Sequence, residues 1–145
     1  MKTNNRWIIL LLLGLVTLLL SACGATVDEA AGKSEKPAEL VEIAGSEFKG
    51  VKLTQRAAER TGIEVSEVTE AEGEMVVPYS TIIYGLHGET WLYTNPDSLT
   101  YVRYPVTVDR IEGGLAFLSE GPTLGTTVVT VGVAELYGEE TGIKK

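Results

Sequence analysis

The chain contains few side chains of the types that carry out covalent or metal chemistry. Among its 145 residues there is one cysteine, Cys23, and one histidine, His87. A single cysteine cannot form an intramolecular disulfide. His87 lies in the turn-like sequence GLHG, and we expect it to be a solvated turn residue and not a base or metal ligand. Because HExxH, CxxC, GxSxG and P-loop patterns do not occur, we expect no enzymatic activity, no cofactor and no resident metal.

Cys23 follows a segment with the parts of a secretory leader. Lys2 and Arg6 give a basic start, an almost unbroken apolar run follows, and Leu20-Ser21-Ala22-Cys23 closes it. The apolar run fits a signal peptide better than a membrane span, and the four closing residues resemble the bacterial lipobox. We therefore predict a lipoprotein signal peptide at residues 1–22 and acylation of Cys23, since each buried methylene contributes about 0.8 kcal/mol to anchoring. The alternative is an uncleaved anchor with an incidental cysteine.

The chain after this leader is acidic. Without Lys2 and Arg6 it holds ten basic and twenty acidic side chains, a net charge of −10, which argues against nucleic-acid binding. Residues 23–46 have little aromatic or β-branched content and predict a flexible tether, with a marginal helix at residues 38–44 as the alternative. The expected location is extracytoplasmic and lipid-anchored. If the source has an outer membrane, Gly24 after the cysteine is similar to the default signal for sorting there.

The rest of the chain predicts short strands separated by turns. The strings VVPYSTIIY, ETWLYT, LTYVRYPVTVDRI, LAFLS and TTVVTV are rich in β-branched and aromatic residues, and GLHG, NPDS and EGG lie between them. Thr54 as N-cap and Gly62 as C′ residue predict one short helix, Gln55–Thr61. We predict a mainly β domain over residues 47–138, a small antiparallel sandwich or barrel, and a disordered tail at 139–145. The expected buried positions are Val51, Leu53, Ile63, Val65, Val77, Ile82, Trp91, Tyr93, Val106, Val108, Phe117, Leu118, Val129 and Val131.

Two parts of this region resemble one domain of a known family. VKLTQRAAERTGIEVSEV, and then VVPYSTIIY, GETWLYTN, LTYVRYPVTVDRI and TTVVTVGVAELYG, are similar to the membrane-proximal domain of periplasmic adaptor subunits of RND-type efflux pumps, the membrane fusion proteins. The likeness covers nearly all of residues 48–138. Family members place a barrel domain, a lipoyl domain and a helical hairpin between the two parts. Here the polar link Thr69–Glu74 joins them, and no heptad pattern predicts a hairpin.

The resemblance implies a role in binding and not in turnover. Adaptors use this domain against the periplasmic part of an energy-driven pump, so the chain is expected to dock on an RND-type or other transporter or on full-length adaptor subunits. Copper-exporting adaptors bind metal through methionines, but only Met75 remains after the leader, which does not support that role. Two alternatives stay open: a lipoprotein that binds or senses a small ligand, and a shortened adaptor remnant without a transport role.

Aromatic and arginine residues of LTYVRYPVTVDRI are the candidates for a docking surface, because Tyr, Trp and Arg are enriched at interface hot spots. The candidate partner-binding residues are Tyr101, Arg103, Tyr104 and Arg110. Alternation places Tyr101 and Arg103 on the same strand face, and we expect that face to be exposed. Replacing both with alanine should then weaken partner binding without loss of stability. The alternative is that the aromatics of this strand and of GETWLYTN fill the core and cap its edges.

Overall fold

The computed structural model describes residues 36–142. Half of these residues are in strands and fewer than a fifth are in helices, which confirms the prediction of a mainly β, curled antiparallel fold. The predicted signal peptide, Cys23 and the part of the predicted tether up to residue 35 lie outside the described residues, as do residues 143–145. Among the described residues no helix is long and apolar enough to cross a membrane.

The described chain contains ten strands, two α-helices and one 3-10 turn. In chain order they are β1 (Ala38–Val41), β2 (Gly50–Leu53), α1 (Gln55–Thr61), β3 (Glu64–Glu67), β4 (Thr69–Ala71), β5 (Glu74–Pro78), the 3-10 turn (Tyr79–Thr81), β6 (Ile83–Tyr84), β7 (Thr90–Asp97), β8 (Thr100–Glu112), β9 (Leu115–Glu120), β10 (Thr127–Val131) and α2 (Val133–Thr141).

The strands form a curled antiparallel sheet in the order β3-β10-β7-β8-β9-β5-β4, with β2 added to β8, β1 added to β2, and β6 added to β7. Only Val68 separates β3 from β4, so both ends of this order belong to one stretch of chain and the sheet curls round like a small barrel. Val68 is held there by backbone hydrogen bonds to Thr126 O (2.9 Å) and from Gly125 N (2.8 Å). The predicted pairing of β3 with the C-terminal half is confirmed, since Val65 lies opposite Val129.

Both faces of this sheet are buried around β7 and β10. Leu92 and Val128 face the inside of the curl, whereas their neighbours Tyr93 and Val129 face a second core outside it. The inner core contains Val68, Val77, Leu92, Val106, Ala116, Leu118 and Val128. The outer core contains Val51, Leu53, Ala57, Tyr93, Tyr101, Val129 and Leu136. Because α1, α2 and the β1–β2 hairpin cover the outer face, alternation along these strands does not separate buried from exposed residues.

Helix α1 forms where the sequence predicts it. The Thr54 hydroxyl accepts a hydrogen bond from Ala57 N (3.2 Å), which satisfies one of the free N–H groups of the first turn. Gly62 ends the helix in the left-handed conformation (φ 67°), and its N–H donates to Ala58 O and Glu59 O. Ala57 is the side chain that the helix buries in the outer core.

The prediction of a single helix is wrong, and so is the disordered tail as far as residue 141. Residues 133–141 form α2, which begins after Gly132 (φ 90°) and buries Leu136. A side chain at Gly132 would overlap Ile63, so glycine is required there for steric as well as conformational reasons. No side chain caps the start of α2 and Gly138 lies within it, so its local helix signals are weak. Contacts with the sheet stabilise it instead.

The predicted tether is also too long, because β1 lies within it. Residues 38–41 pair with β2, with Ala38 opposite Leu53 and Val41 opposite Gly50. The alternative of a helix at residues 38–44 is therefore wrong as well. Close packing explains the location of this strand: a Cβ added at Gly50 would lie only 2.9 Å from Cγ1 of Ile43, so glycine lets the segment after β1 fold tightly against β2.

Two of the predicted core positions are exposed. Val65 is 49% exposed and Val131 is 44% exposed. Val129, which lies opposite Val65 and two residues before Val131, is fully buried. Val65 lies one strand further out than Val129, and Val131 follows an irregularity in the pairing. Four of the remaining predicted positions are partly buried and the others are buried. The four are Ile63, Ile82, Trp91 and Val108.

Candidate functional site

Arg103 lies near the start of β8, where docking residues are expected, but helix α2 covers it. Its Nε and Nη2 donate to Oε1 of Glu140 at 3.1 and 2.9 Å. The side chains of Arg103 and Glu140 are only 13% and 7% exposed. The Tyr93 hydroxyl donates to the other carboxylate oxygen, Oε2 of Glu140. Both oxygens of Glu140 are thus used, and the network fastens α2 to β7 and β8.

Aromatic rings surround the guanidinium group of Arg103. Its Cζ lies 4.2 Å from the ring centroid of Phe48, 4.7 Å from that of Trp91 and 5.6 Å from that of Tyr137. Phe48 and Trp91 also meet edge to face, with their centroids 6.4 Å apart. These distances are within cation–π range, and the weak hydration of a guanidinium suits such a setting. Trp91 therefore packs against Arg103 and Phe48 within this internal cluster.

Burial affects the protonation of the tyrosines beside this cluster. Burial, and next the hydrogen bond to Glu140, raise the pKa of Tyr93 far above its usual value of 10.0. Burial also raises the pKa of Tyr101. Both hydroxyls keep their protons at physiological pH, so Tyr93 acts as a hydrogen-bond donor in this network. The arrangement holds the fold together, because its groups are turned toward one another and away from solvent.

Tyr101 and Arg103 do share a strand face, as predicted, but the expectation that this face is exposed is wrong. Tyr101 belongs to the outer core, and Arg103 lies beneath α2. The physical reason is helix α2, which the sequence does not predict and which covers Arg103 and pairs it with Glu140. Tyr137 lies three residues before Glu140 and therefore on the same helix face. This spacing of an aromatic and an acidic residue is the one sequence feature that indicates a helix packed on Arg103. Tyr104 is exposed and stays a candidate.

Arg110, near the far end of β8, is partly exposed and surrounded by carboxylates. It forms an ion pair with Glu74, a second with Glu72 (Nη2–Oε2 2.9 Å), and a longer one with Glu112 (Nε–Oε2 3.7 Å). Its Cζ lies 3.6 Å from the ring centroid of Phe117. The hydrogen bond to Glu74 raises the pKa of Arg110. Three carboxylates around one guanidinium leave an excess of negative charge at this surface.

Exposed apolar side chains lie beside this acidic cluster. We define the Tyr84–Leu86 patch as Tyr79, Tyr84, Leu86 and Ile111. Leu86 is 99% exposed and Tyr84 is 52% exposed. The rings of Tyr79 and Tyr84 meet edge to face with centroids 6.4 Å apart. Tyr84 and Ile111 line a single surface groove of about 680 Å³, with Arg110 on the same groove.

The sequence predicts the turn that carries this patch but not the patch itself. His87 is exposed, as expected, and its N–H donates to Oε2 of Glu89 (3.1 Å). The sequence does not single out Leu86, because a single exposed leucine in a turn is a common feature.

A second groove, of about 470 Å³, lies between α1 and α2. Leu53, Ala57 and Leu136 form an apolar part of its lining, and Arg60 and Glu139 are charged residues on it. In residues 36–142 no three His, Cys, Asp or Glu side chains lie close enough together to hold a metal ion. The two grooves are lined by apolar and charged side chains, with Tyr84 and Trp91 as aromatic residues on the first, and such side chains suit noncovalent binding.

No family model matches the sequence, and no curated protein matches it significantly. The resemblance to adaptor subunits therefore stays a prediction, based on the motifs quoted above.

Proposed function

We propose that this chain is a lipid-anchored, extracytoplasmic interaction module related to the membrane-proximal domain of efflux adaptor subunits, and that it docks on a membrane transporter or an adaptor complex. The observation that carries the proposal is the pairing of β3 with β10, in which Val65 lies opposite Val129. The resemblance assigns these strands to two separate stretches of one domain. Their pairing within a single antiparallel sheet is the arrangement that such a domain requires.

The link between the two stretches supports the same proposal. In adaptors the barrel, lipoyl and hairpin domains are inserted there, whereas here β4 and β5 form a tight hairpin with Ala71 opposite Glu74. A module without the inserted domains keeps the part that meets the pump and omits the part that reaches the exit duct. It would act at the pump, by modulating a permease or by occupying one position in a ring of longer adaptors.

The proposal is tested on the full-length protein isolated from its native membranes. We expect mass spectrometry to find an acylated Cys23 as the mature N-terminus, and we expect a permease or a full-length adaptor subunit to co-purify in fixed proportion. The variant Cys23→Ser is the matched control, which should accumulate as precursor and lose the partner. An intact leader on the native protein would overturn the anchor. A lipidated protein without any transporter component would overturn the docking function.

A lipoprotein that binds a small ligand is the second candidate, and the groove between α1 and α2 favours it. Its volume of about 470 Å³ is within the usual range for small-molecule sites, and Leu53, Ala57 and Leu136 give it apolar lining. Native mass spectrometry of the purified protein separates the two candidates. A retained small molecule that is lost in Ala134→Trp, which fills the groove from its exposed side, would favour the ligand-binding function over docking.

A further inference from the structure

We propose that the Tyr84–Leu86 patch is the docking surface and that its partner is a protein segment with an apolar anchor flanked by lysine or arginine. This inference deepens the proposed function and rests on it. It replaces Tyr101 and Arg103, which α2 covers, with residues that solvent reaches.

The first argument is that Leu86 has no role in holding its own turn. Backbone hydrogen bonds from Gly85 N to Glu89 O (2.8 Å) and from Gly88 N to Gly85 O (3.3 Å) close the turn. Gly88 provides the positive φ of 90° that the turn needs. Because the Leu86 side chain is 99% exposed, it contributes no packing to the fold. It is free to pack against the apolar anchor of a partner segment.

The second argument is that the tyrosines beside Leu86 are held in place before any partner arrives. The edge-to-face contact between Tyr79 and Tyr84 restricts both rings. Tyr79 N donates to Gly114 O (2.9 Å), which ties this part of the chain to the β8–β9 turn. Rigid aromatic side chains lose little conformational entropy on binding, so they are effective anchors.

The third argument is the charge around the patch. Arg110 is the one basic side chain on the groove that Tyr84 and Ile111 line. Acidic side chains on that groove or paired with Arg110 are Glu72, Glu74, Glu89, Asp109 and Glu112. An apolar centre with an acidic rim complements a partner with a basic rim. The same rim repels anionic lipid headgroups, and it repels a second copy of this chain, whose net charge is −8.

The fourth argument is the position of the patch relative to the start of the described chain. Thr54 N donates to Pro37 O (3.0 Å) and Leu53 N donates to Leu99 O (2.9 Å), so the chain enters the domain beside the β7–β8 turn. Leu86 precedes Thr90 at the opposite end of β7. Seven residue steps of a strand separate the two ends by roughly 23 Å. The patch therefore lies near the end of β7 opposite the point at which the described chain enters the domain.

The test is site-specific photo-crosslinking of the full-length lipoprotein in its own cells. The photoreactive residue p-benzoylphenylalanine replaces Leu86, and in a matched control it replaces Leu124, an exposed leucine in the loop between β9 and β10. We expect a discrete protein adduct from position 86 with at least ten times the yield from position 124. Sequencing of the crosslinked peptide should show lysine or arginine beside the reacted residue. Adding Asp109→Lys and Glu112→Lys should lower the yield at least tenfold.

The remaining outcomes overturn the inference and separate it from the proposed function. Adducts from position 86 with lipid only, with a second copy, or with a segment that has no basic residues would each overturn the partner chemistry. Protein adducts from position 124 but not from 86 would overturn the patch and leave the docking function standing. Absence of protein adducts from both positions would overturn both.

Discussion

Arg103 and Arg110 lie seven residues apart on the same strand and have opposite roles. Each guanidinium contacts an aromatic ring and a glutamate. Arg103 is 13% exposed and pairs with a single carboxylate, Glu140, brought by a helix 37 residues away in the chain. Arg110 is 36% exposed among three carboxylates, which come from the β4–β5 turn, from β5 and from β8 itself. Residue type and local contacts are therefore similar, and the covering helix decides which arginine belongs to the interior.

Burial also changes what the two ion pairs contribute. Charges that are withdrawn from water gain little net stability from pairing, but the loss of one partner leaves the other buried and uncompensated. Charges in contact with solvent are screened, so either partner can be removed at small cost. The Arg103 cluster should thus respond strongly to single substitutions, and the Arg110 cluster should respond weakly.

The largest effect is expected where a new charge enters the covered face on which Arg103 lies. Val129→Asp should unfold the domain, because Val129 is fully buried in the outer core and the new carboxylate would be withdrawn from water among apolar side chains. Val131→Asp is the matched control, and it should stay folded because Val131 is 44% exposed. Circular dichroism melts of the two variants make the comparison. A folded Val129→Asp protein would mean that β10 is assigned with the wrong register or facing.

Removal of the carboxylate beside Arg103 should have the next largest effect. Glu140→Ala leaves the guanidinium of Arg103 and the hydroxyl of Tyr93 without their acceptor, and we expect a loss of about 3–5 kcal/mol in the free energy of unfolding. Glu139→Ala is the control, because Glu139 is the exposed neighbour on the same helix. Urea unfolding measures both. Equal stability of the two variants would contradict the role assigned to α2.

Alkaline pH tests the same cluster through Tyr93. Its pKa is raised above 10.0 in the folded protein, chiefly by burial and then by Glu140, so the folded chain keeps a proton that the unfolded chain releases. The corresponding stability is complete below pH 10 and is lost as the pH rises above it. Tyr93→Phe should cost about 1 kcal/mol at pH 8. It should also show a shallower loss of stability between pH 9.5 and 11.5, measured by urea unfolding. Parallel pH profiles for both proteins would exclude this contribution.

The smallest effect is expected at Arg110. Arg110→Ala removes solvent-screened pairs with Glu72, Glu74 and Glu112 and a partly exposed contact with the Phe117 ring, so the melting temperature should stay close to that of the wild-type protein. The remaining difference should shrink further in 1 M salt. Differential scanning calorimetry at low and high salt checks both statements. A destabilisation comparable to that of Glu140→Ala would remove the distinction between the two arginines.

Local signals predicted most of the fold. The N-cap Thr54 and the left-handed Gly62 delimit α1, and β-branched runs between turn residues delimit β7 to β10. Helix α2 was missed because Gly138 interrupts it and no side chain caps its start. Strand β1 was missed because its composition resembles a linker. Both elements are stabilised mainly by tertiary contacts, which a single sequence does not display.

Much less of the candidate site could be predicted, chiefly because the sequence does not predict helix α2. Alternation correctly placed Tyr101 and Arg103 on one face, but only a covering helix makes that face internal. Leu86 is exposed because no other described element packs on its turn, which the local sequence does not reveal either. A pattern along one strand indicates which residues share a face, whereas the elements packed on that face decide whether it can bind a partner.

Two double variants of the full-length lipoprotein, compared side by side, test most directly whether the Tyr84–Leu86 patch is the docking surface while Tyr101 and Arg103 stabilise the fold. One is Tyr101→Ala with Arg103→Ala, and the other is Tyr84→Ser with Leu86→Ser. Thermal stability and the yield of co-purified partner are measured for both. We expect the first variant to lose more than about 10 °C in Tm, and the second to keep its Tm and lose at least nine-tenths of the partner. A first variant that keeps its Tm but loses the partner would contradict the account, because Tyr101 and Arg103 would then be the docking residues.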